Sequence, residues 1–243
     1  MKILIIRHGE PHYPTDTLTE KGKIEVELLS NRLLKEKISE IYVSPLKRAR
    51  LTAEPTAEKL CKRPIVLEWL KEFPSMLSWE YETDYYKNMH SPWNMPPELW
   101  ANDAAVFENS DWKKSKILEN SKVVETYEFV CDKFNELMAS HGLIKDGNQW
   151  IISDSYRDDT VIALFCHFGL GTALIAHMLN MPLIPIWNSI FLPTSSITTI
   201  YMEQHIKSRP ILHGIFCGIG DTSHLYAGNE PISCAGLHTD SLK

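Results

Sequence analysis

The sequence predicts an α/β fold with a mostly parallel sheet, arranged as a three-layer α/β/α sandwich. Short aliphatic runs that are typical of buried strands alternate with longer segments whose apolar residues recur at helical spacing. The composition supports a packed core, because 44% of the 243 residues are hydrophobic and 23% are charged. Strands that alternate with helices imply crossover connections, and these favour parallel strands covered on both faces.

The first part of the chain is predicted to hold three strands and two helices. The strands are 3–6, 40–44 and 65–68, and the helices are 20–37 and 46–60. Thr19 is suited to cap the first helix, because its hydroxyl can accept a hydrogen bond from an amide of the first turn. Pro45 ends the second strand. Pro55 is expected to kink or break the second helix, because proline lacks the amide donor.

Residues 73–120 interrupt this alternation. The segment is rich in Trp, Tyr, Met and Pro, and Pro92, Pro96 and Pro97 act as breakers within it. No internal repeat or low-complexity linker marks a second domain. We therefore interpret residues 1–243 as a single domain that carries an inserted aromatic lid or cap at about 73–120.

The second half of the chain is predicted to complete the sheet. An amphipathic helix covers 123–141, and a second helix covers 169–180. Strands are predicted at 149–153, 160–166, 196–203 and 212–217.

The composition also excludes several classes of protein. A formal net charge of −6 argues against a dedicated nucleic acid binder, which needs surplus Lys and Arg to displace counterions from phosphates. The longest apolar runs are too short to cross a membrane, and the first residues lack the apolar stretch of a secretory signal. Five cysteines without a C-x-x-C pair favour free thiols and a cytoplasmic location.

Reactive side chains follow four of the predicted strands. Arg7 and His8 come directly after the first strand, Arg48 follows the second, Glu72 the third, and His167 a later one. In open α/β sheets, ligands bind beyond the carboxyl ends of the strands. We therefore expect two imidazoles, two guanidiniums and a carboxylate to meet at one edge of the sheet.

This set of side chains is suited to phosphoryl transfer. A neutral imidazole can attack phosphorus and form a phosphohistidine, and guanidiniums are fixed, bidentate donors to phosphoryl oxygens. A carboxylic acid whose pKa is raised by burial can protonate a leaving alcohol. No metal or other cofactor is required, because the arginines and the second histidine neutralise the developing charge. The predicted partner is a small phosphorylated metabolite, with no nucleic acid and no membrane.

Six short motifs carry these residues through most of the chain outside the insertion. They are L-I-I-R-H-G-E at 4–10, L-T-E-K-G at 18–22, S-P-L-K-R-A-R-L-T-A at 44–53, L-K-E at 70–72, F-C-H-F-G at 165–169 and G-D-T-S-H-L at 220–225. This set resembles the histidine phosphatase superfamily, in its phosphoglycerate mutase-like branch. R-H-G alone would be a weak signal, whereas R-H-G after a strand, followed at the proper spacing by the other motifs, is a strong one.

The resemblance implies a role for each of the five side chains. His8 would be the nucleophile that becomes phosphorylated, and Glu72 would be the general acid. Arg7, Arg48 and His167 would hold the phosphoryl oxygens, and His167 would also belong to the catalytic group. The implied activity is that of a metal-independent phosphatase, a phosphoric monoester hydrolase with a ping-pong mechanism.

The chain departs from the family's pattern near the nucleophile and after the second histidine. Pro11 and Pro14 stand where the family often has Thr or Ser, and Asn, so the rim of the phosphate site loses side-chain donors. Phe168 stands where glycine is common, which makes the pocket wall bulkier. The longer, Trp- and Asn-containing segment that mutases carry after R-H-G is missing. That absence favours a phosphatase over a mutase.

Two other functions stay open on the sequence. A phosphoglycerate mutase-type enzyme would use the same phosphohistidine to move a phosphate within its substrate. A catalytically degenerate phosphate-binding module is compatible with Pro11 and Pro14. The sequence does not predict a particular substrate or an oligomeric state.

The assignment of some acidic and imidazole groups also stays open. Glu10, Glu68 and Glu80 are alternatives to Glu72 as the general acid. His224 either approaches the site or closes a loop.

The acidic balance of the chain is concentrated in the insertion. Residues 73–112 contain seven acids and one base, and removing these from the chain totals of 31 and 25 leaves 24 of each. The acids are Glu80, Glu82, Asp84, Glu98, Asp103, Glu108 and Asp111, and the aromatic residues include Trp79, Trp93, Trp100, Trp112, Tyr81, Tyr85 and Tyr86. An acidic, aromatic lid would repel polyanions and stack on apolar or cationic groups. We therefore expect a substrate with one phosphate and a leaving group without negative charge.

Overall fold

A computed structural model describes residues 1–74, 77, 90–109 and 111–237 of the chain. The strands are β1 (Lys2–Arg7), β2 (Pro11–His12), β3 (Thr17–Leu18), β4 (Glu40–Val43), β5 (Ile65–Val66), β6 (Leu143–Asp146), β7 (Gln149–Ile152), β8 (Val161–Cys166), β9 (Ile197–Glu203) and β10 (Ile211–Asp221). The helices are α1 (Glu20–Leu33), α2 (Lys47–Lys59), α3 (Pro97–Trp100), α4 (Ala104–Phe107), α5 (Val123–Ser140), α6 (Phe168–Leu179), α7 (Leu183–Ser189) and α8 (Ser223–Ala227).

Eight of these strands form one sheet, in the order β5-β4-β8-β1-β9-β10-β7-β6. Strands β5, β4, β8 and β1 pair in parallel, and each later neighbour pairs antiparallel. Because β10 and β6 are reached from β1 by two and four antiparallel steps, six of the eight strands in the described sheet run in the direction of β1. The predicted α/β class with a mostly parallel sheet is confirmed.

The side chains of β1 divide the core into two layers. Ile3 and Ile5 belong to a hydrophobic cluster that includes residues of α5 and α6. Leu4 and Ile6 point to the opposite face, where they join a cluster with α1 and α2. Helices therefore cover both faces of the sheet, as a three-layer sandwich requires.

Part of the insertion joins the first of these clusters. Met95, Trp100, Val106 and Trp112 are all buried in it, together with residues of α5 and α6. Trp100 and Trp112 are thus core residues rather than parts of a lid. The single-domain interpretation of residues 1–243 stays a prediction.

Several boundaries differ from those that the sequence predicts. Helix α1 ends at Leu33 rather than at Lys37, and α2 continues unbroken through Pro55, because one proline removes only one amide donor. Among the described residues, every helix is too short or too polar to span a membrane.

Candidate active site

A cavity of about 580 Å³ lies beside the residues that follow β1, β5 and β8. Arg7, His8, Arg48 and Glu72 are four of its lining residues. His167 is fully buried beside it, with its ring centroid 5.2 Å from that of His8. The structure therefore brings all five predicted side chains to one place, although they come from distant parts of the sequence.

The His8 ring is held in one tautomer. Its Nδ1 lies 2.8 Å from the carbonyl oxygen of Gly9. Since a carbonyl only accepts, Nδ1 carries the proton and Nε2 carries the lone pair in the neutral ring. Burial, together with the charges of Arg7 and Arg48, lowers the pKa of His8 well below its usual value. Both effects favour the neutral ring of His8, in which Nε2 carries a lone pair.

The main chain of His8 is fixed from two sides. Its amide donates to Cys166 of the neighbouring strand at 3.0 Å, and its carbonyl accepts from the amide of Ser195 at 3.0 Å. These two hydrogen bonds fix the backbone of His8, as the ladder hydrogen bonds fix the residues of β1.

His167 has one occupied and one unoccupied ring nitrogen. Its Nε2 lies 2.7 Å from the hydroxyl of Ser44, whereas its buried Nδ1 has no hydrogen-bond partner among the described residues. Burial lowers the pKa of His167 well below its usual value, and His8 and the two arginines add to the effect. The Nδ1 atom is thus a polar group that an oxygen ligand could satisfy.

The Arg7 guanidinium lies against two aromatic rings that also contact each other. Its Nη1 donates to the Leu192 carbonyl at 2.5 Å, and its Cζ lies 5.3 Å from the ring centroid of Phe168 and 5.7 Å from that of Phe191. Its buried Nε has no partner in the described parts of the chain. The charge is therefore preorganised beside His8.

Arg48 is oriented by Asp16, which sequence reasoning missed. Arg48 Nη1 donates to Asp16 Oδ1 at 2.5 Å, and Asp16 Oδ2 accepts from the amide of Lys47 at 2.7 Å. One carboxylate thus holds both the first turn of α2 and the guanidinium that this turn carries. The Nε of Arg48 is buried and has no partner among the described residues.

Glu72 receives three main-chain amides. Its Oε1 accepts from Phe73 at 3.0 Å and from Leu170 at 2.9 Å, and its Oε2 accepts from Gly169 at 3.0 Å. Burial raises the pKa of Glu72 above its usual value, although the three amides and the charge of Arg7 oppose the rise. The carboxyl group is therefore held at the start of α6, next to the second histidine.

The described alternatives to Glu72 lie away from the cavity. Glu68 is exposed, with its carboxylate 3.6 Å from Lys71 Nζ. The Glu10 carboxylate accepts from Thr19 Oγ1 at 2.9 Å and also from Ser233. Neither residue lines the cavity. Glu80, the remaining alternative, falls outside the described residues.

Glu25 is a second positioning residue that the sequence prediction lacks. It is fully buried on α1, where its Oε2 accepts from the amide of Glu10 at 2.8 Å and its Oε1 accepts from Thr194 Oγ1 at 2.9 Å. Glu25 therefore ties the loop after the nucleophile to the loop that contains Ser195. The available signal was its place on the apolar face of α1, one residue before Val26 and four before Leu29.

Replacing Glu25 with Ala is expected to lower the free energy of unfolding by about 2 kcal/mol, because two buried donors lose their acceptor. Urea denaturation measures the change. Glu27→Ala is the matched control on the exposed side of α1, where Glu27 pairs with Lys59, and it should cost less than about 1 kcal/mol. Equal losses in the two variants would contradict the assigned role of Glu25.

Pro11 and Pro14 lie outside the lining of the cavity. Pro11 pairs with Leu18 in the small β2–β3 ribbon, and Pro14 lies in a short 3-10 turn at Tyr13–Thr15. Tyr13 from this turn does line the cavity, and Arg48 Cζ lies 5.7 Å from its ring centroid. The rim near the nucleophile is thus formed by an aromatic residue.

His224 lies behind the nucleophile rather than in the cavity. It is buried, and its Nε2 lies 3.0 Å from the hydroxyl of Ser195, whose amide binds the His8 carbonyl. It is not a lining residue. Of the two roles that the sequence left open, the structure favours the second: His224 lies in α8 and contacts Ser195 outside the cavity.

The insertion contributes Ser91, Trp93 and Asn94 to the cavity wall. Its described acids do not line the cavity: Asp103 caps α4 through the amide of Ala105, for example. Three acids of the insertion lie outside the described residues: Glu80, Glu82 and Asp84. The same holds for four of its aromatic residues: Trp79, Tyr81, Tyr85 and Tyr86. The predicted aromatic cover is therefore present at Trp93, whereas the described acids are directed elsewhere.

Comparison with known proteins adds independent findings. The family model of the histidine phosphatase superfamily, branch 1, matches residues 3–208. A protein of Hydrogenobacter thermophilus that carries the name "Putative phosphoserine phosphatase 2" is 26% identical over 211 residues, which are 83% of this chain and 90% of that protein.

Solved structures share the fold. A phosphoserine phosphatase mutant from Entamoeba histolytica, in complex with phosphoserine, matches with a TM-score of 0.57 and 20% identity, over 92% of this chain and 98% of that one. A mycobacterial glucosyl-3-phosphoglycerate phosphatase matches with a TM-score of 0.57 and 20% identity, over 90% and 98%.

Proposed function

The chain belongs to the histidine phosphatase superfamily, and on this basis we propose that it hydrolyses a small phosphomonoester through a phosphohistidine on His8. The observation that carries the proposal is the Nδ1–Gly9 hydrogen bond, which leaves the neutral Nε2 of a buried histidine free to attack between two arginines. Relatives named for phosphoserine and glucosyl-3-phosphoglycerate support a phosphorylated small molecule as substrate.

In the first step, His8 Nε2 attacks phosphorus and the bond to the leaving oxygen breaks. Glu72 acts in its acid form, which burial favours by raising its pKa, and gives its proton to that oxygen. Arg7 and Arg48 bind the non-bridging oxygens, and His167 Nδ1 provides one more polar contact. The products of this step are the free alcohol and a phosphorylated His8.

In the second step, Glu72 is a carboxylate and acts as a base. It takes a proton from water, whose oxygen attacks phosphorus while the N–P bond breaks. His8 returns to its neutral form, Glu72 returns to its acid form, and phosphate leaves. The same two arginines stabilise the charge in both steps.

The pH dependence of kcat/KM follows from the directions of the two pKa shifts. Because the pKa of His8 is lowered, the nucleophile should stay neutral, and the rate should persist, as the pH falls below 6.5. Because the pKa of Glu72 is raised from 4.5, its acid form should persist above that pH, and the rate with an alkyl phosphate should fall as Glu72 ionises.

Steady-state rates with two alkyl esters that differ in phosphate pKa separate these enzyme groups from ionisation of the substrate. A rate that falls on acidification with a midpoint near the ordinary histidine pKa, for both esters, would contradict a buried neutral nucleophile.

The proposal is tested with a panel of phosphomonoesters and phosphate release as the readout. The panel includes 3-phosphoglycerate, with 2-phosphoglycerate monitored as a product. Release of free phosphate supports a phosphatase, and formation of 2-phosphoglycerate without release indicates a mutase. Phosphate binding without any turnover indicates a binding module. In the latter two outcomes the proposal is wrong.

The substrate is proposed to have one phosphate and a leaving group without negative charge. Apart from Arg7, Arg48 and Glu72, the described lining residues carry no charged side chain, so a second anionic group has no separate cationic partner there. Better turnover of bisphosphorylated esters than of monophosphorylated ones would contradict this expectation.

A reducing, cytoplasmic location is proposed from the cysteines. Cys61, Cys131, Cys166, Cys217 and Cys234 all lie in the described parts of the chain, and all five are free thiols.

A further inference from the structure

Five aromatic side chains form a continuous row along the cavity, which we call the aromatic wall: Phe73, Trp187, Trp93, Phe168 and Phe191. Successive ring centroids in this order lie 5.2, 6.0, 5.9 and 6.0 Å apart. The first three pairs are edge-to-face contacts, which is a favourable geometry for aromatic rings. The wall is thus a connected surface rather than a scatter of apolar residues.

The wall is rigid at its centre. Trp187 Nε1 donates to the carbonyl of Gly169 at 2.8 Å. Trp93 packs on the same glycine so closely that a Cβ atom there would lie 2.1 Å from its ring. Phe73 and Trp187 are buried, whereas Trp93, Phe168 and Phe191 are half-buried. The first two therefore support the wall, and the other three have surface left for a ligand.

The aromatic wall contacts both the proposed acid, Glu72, and the phosphate-binding residue Arg7. Phe73 directly follows Glu72, and its amide donates to Glu72 Oε1 at 3.0 Å. Phe168 and Phe191 lie on the Arg7 guanidinium at the other end. A leaving group that takes its proton from Glu72 would therefore lie next to aromatic side chains.

The other lining residues near the wall are neutral. Ser91, Asn94, Asn188 and Ser189 line this part of the cavity, and the Asn188 amide already donates to the carbonyls of Pro92 and Ile184. The carboxylate and ammonium of an amino acid, or the carboxylate of a glycerate, would be desolvated there without a partner charge of their own among the described residues. An uncharged planar ring would lose little hydration and gain contact with the wall.

Resting on the proposed phosphatase activity, we propose that the leaving group of the substrate is an uncharged aromatic ring, carried one or two bonds from the phosphate oxygen, that packs against Trp93 and Phe168.

A series of three esters tests this with the unmodified enzyme. Benzyl phosphate carries the ring, cyclohexylmethyl phosphate has the same size without aromaticity, and O-phosphoserine carries two charges. We expect kcat/KM to be about fivefold higher for benzyl than for cyclohexylmethyl phosphate, and lower still for O-phosphoserine. Equal rates for the first two, or a preference for O-phosphoserine, would overturn the inference.

A Trp93→Leu variant tests whether the preference for benzyl phosphate comes from Trp93. It should reduce the advantage of benzyl over cyclohexylmethyl phosphate to about twofold or less. Methyl phosphate, which has no ring, shows how far the substitution changes the phosphate chemistry itself, and the ratio of the two ring esters is read against that rate. Trp93→Phe keeps a ring and should retain most of the advantage, which separates stacking from a loss of packing on Gly169. Phe129→Leu on the exposed side of α5 is the control and should change nothing.

Different results would contradict the proposed phosphatase activity and the proposed aromatic leaving group. If wild-type protein releases no phosphate from any ester, the proposed function itself is wrong. If phosphate is released but Trp93→Leu lowers the rates of all esters equally, the phosphatase stands and the aromatic leaving group is excluded.

Discussion

Replacing His8 with Ala is expected to lower phosphate release from 4-nitrophenyl phosphate by at least about a thousandfold, because a methyl group cannot form the bond to phosphorus. The arginines and Glu72 remain in this variant, so phosphate binding should persist. Phosphate release measures the first effect, and isothermal titration with inorganic phosphate measures the second. The exposed His213→Ala is the matched control and should keep the rate of the unmodified enzyme.

A covalent intermediate provides a second readout for the same variant. Unmodified protein quenched during turnover should carry a phosphoryl group that is lost in acid and stable in base, and His8→Ala should carry none. Circular dichroism of the variant checks the fold, since His8 is buried. Near wild-type turnover in a folded His8→Ala protein would exclude His8 as the nucleophile.

Replacing Glu72 with Gln is expected to separate the two steps. Gln has no proton to give and no basic oxygen, so kcat/KM for a phosphate ester of an unactivated alcohol should fall by about a hundredfold or more. The 4-nitrophenolate leaving group needs no proton, so formation of the phosphoenzyme should survive while its hydrolysis slows. Rapid-mixing kinetics should therefore show a burst of nitrophenolate equal to the enzyme concentration, followed by slow turnover.

The matched control is Glu68→Gln, an exposed carboxylate on the same short segment. It should leave both phases unchanged. Because Glu72 accepts three amides and an amide side chain cannot replace both oxygens, thermal unfolding of Glu72→Gln is recorded as well. Equal losses with the alkyl and the nitrophenyl ester, in a folded variant, would show that Glu72 is not the proton donor.

Four of the five predicted site residues could be located from the sequence because each lies at or shortly after the end of a short buried strand. Arg7 is the last residue of β1 and His8 follows it, and His167 follows β8, the strand that pairs in parallel with β1. Parallel neighbours end at the same edge, so adjacency in space follows from the strand pattern. The prediction of Glu72 rested instead on the resemblance, and the three amides that bind it are visible only in the structure.

The residues that the prediction lacks act through pairings distant in sequence. Asp16 reaches Arg48 across 32 positions, and Glu25 reaches Thr194 across 169. An acid in a loop, or on one turn of a helix, has no local pattern that names its partner. The sequence signal for Glu25 was its position among the apolar residues on one face of α1, where an acid is expected to be buried and hydrogen-bonded.

The elements that were missed are short or weakly patterned. Strand β6 (Leu143–Asp146) has one buried residue, so the alternation that marks a strand is nearly absent. Helix α7 has seven residues, and its apolar composition does not distinguish a helix from a strand. The insertion could not be divided at all, because its closely spaced prolines and aromatic residues carry no period and its shape depends on packing against α5 and α6.

The contact between Trp93 and Gly169 limits how the substrate range of this enzyme can change by mutation. The residues proposed to bind phosphate lie at or after the ends of β1, β4 and β8, whereas those proposed to meet the remainder of the substrate come from the insertion, the first residue of α6, α7 and the loop after it. Changes in the latter can alter substrate choice while the phosphate chemistry is inherited intact. The exception is Gly169, whose amide donates to Glu72, the proposed proton donor, and against which the Trp93 indole packs. A substitution at Gly169 would therefore change both the contact with Trp93 and the hydrogen bond to Glu72.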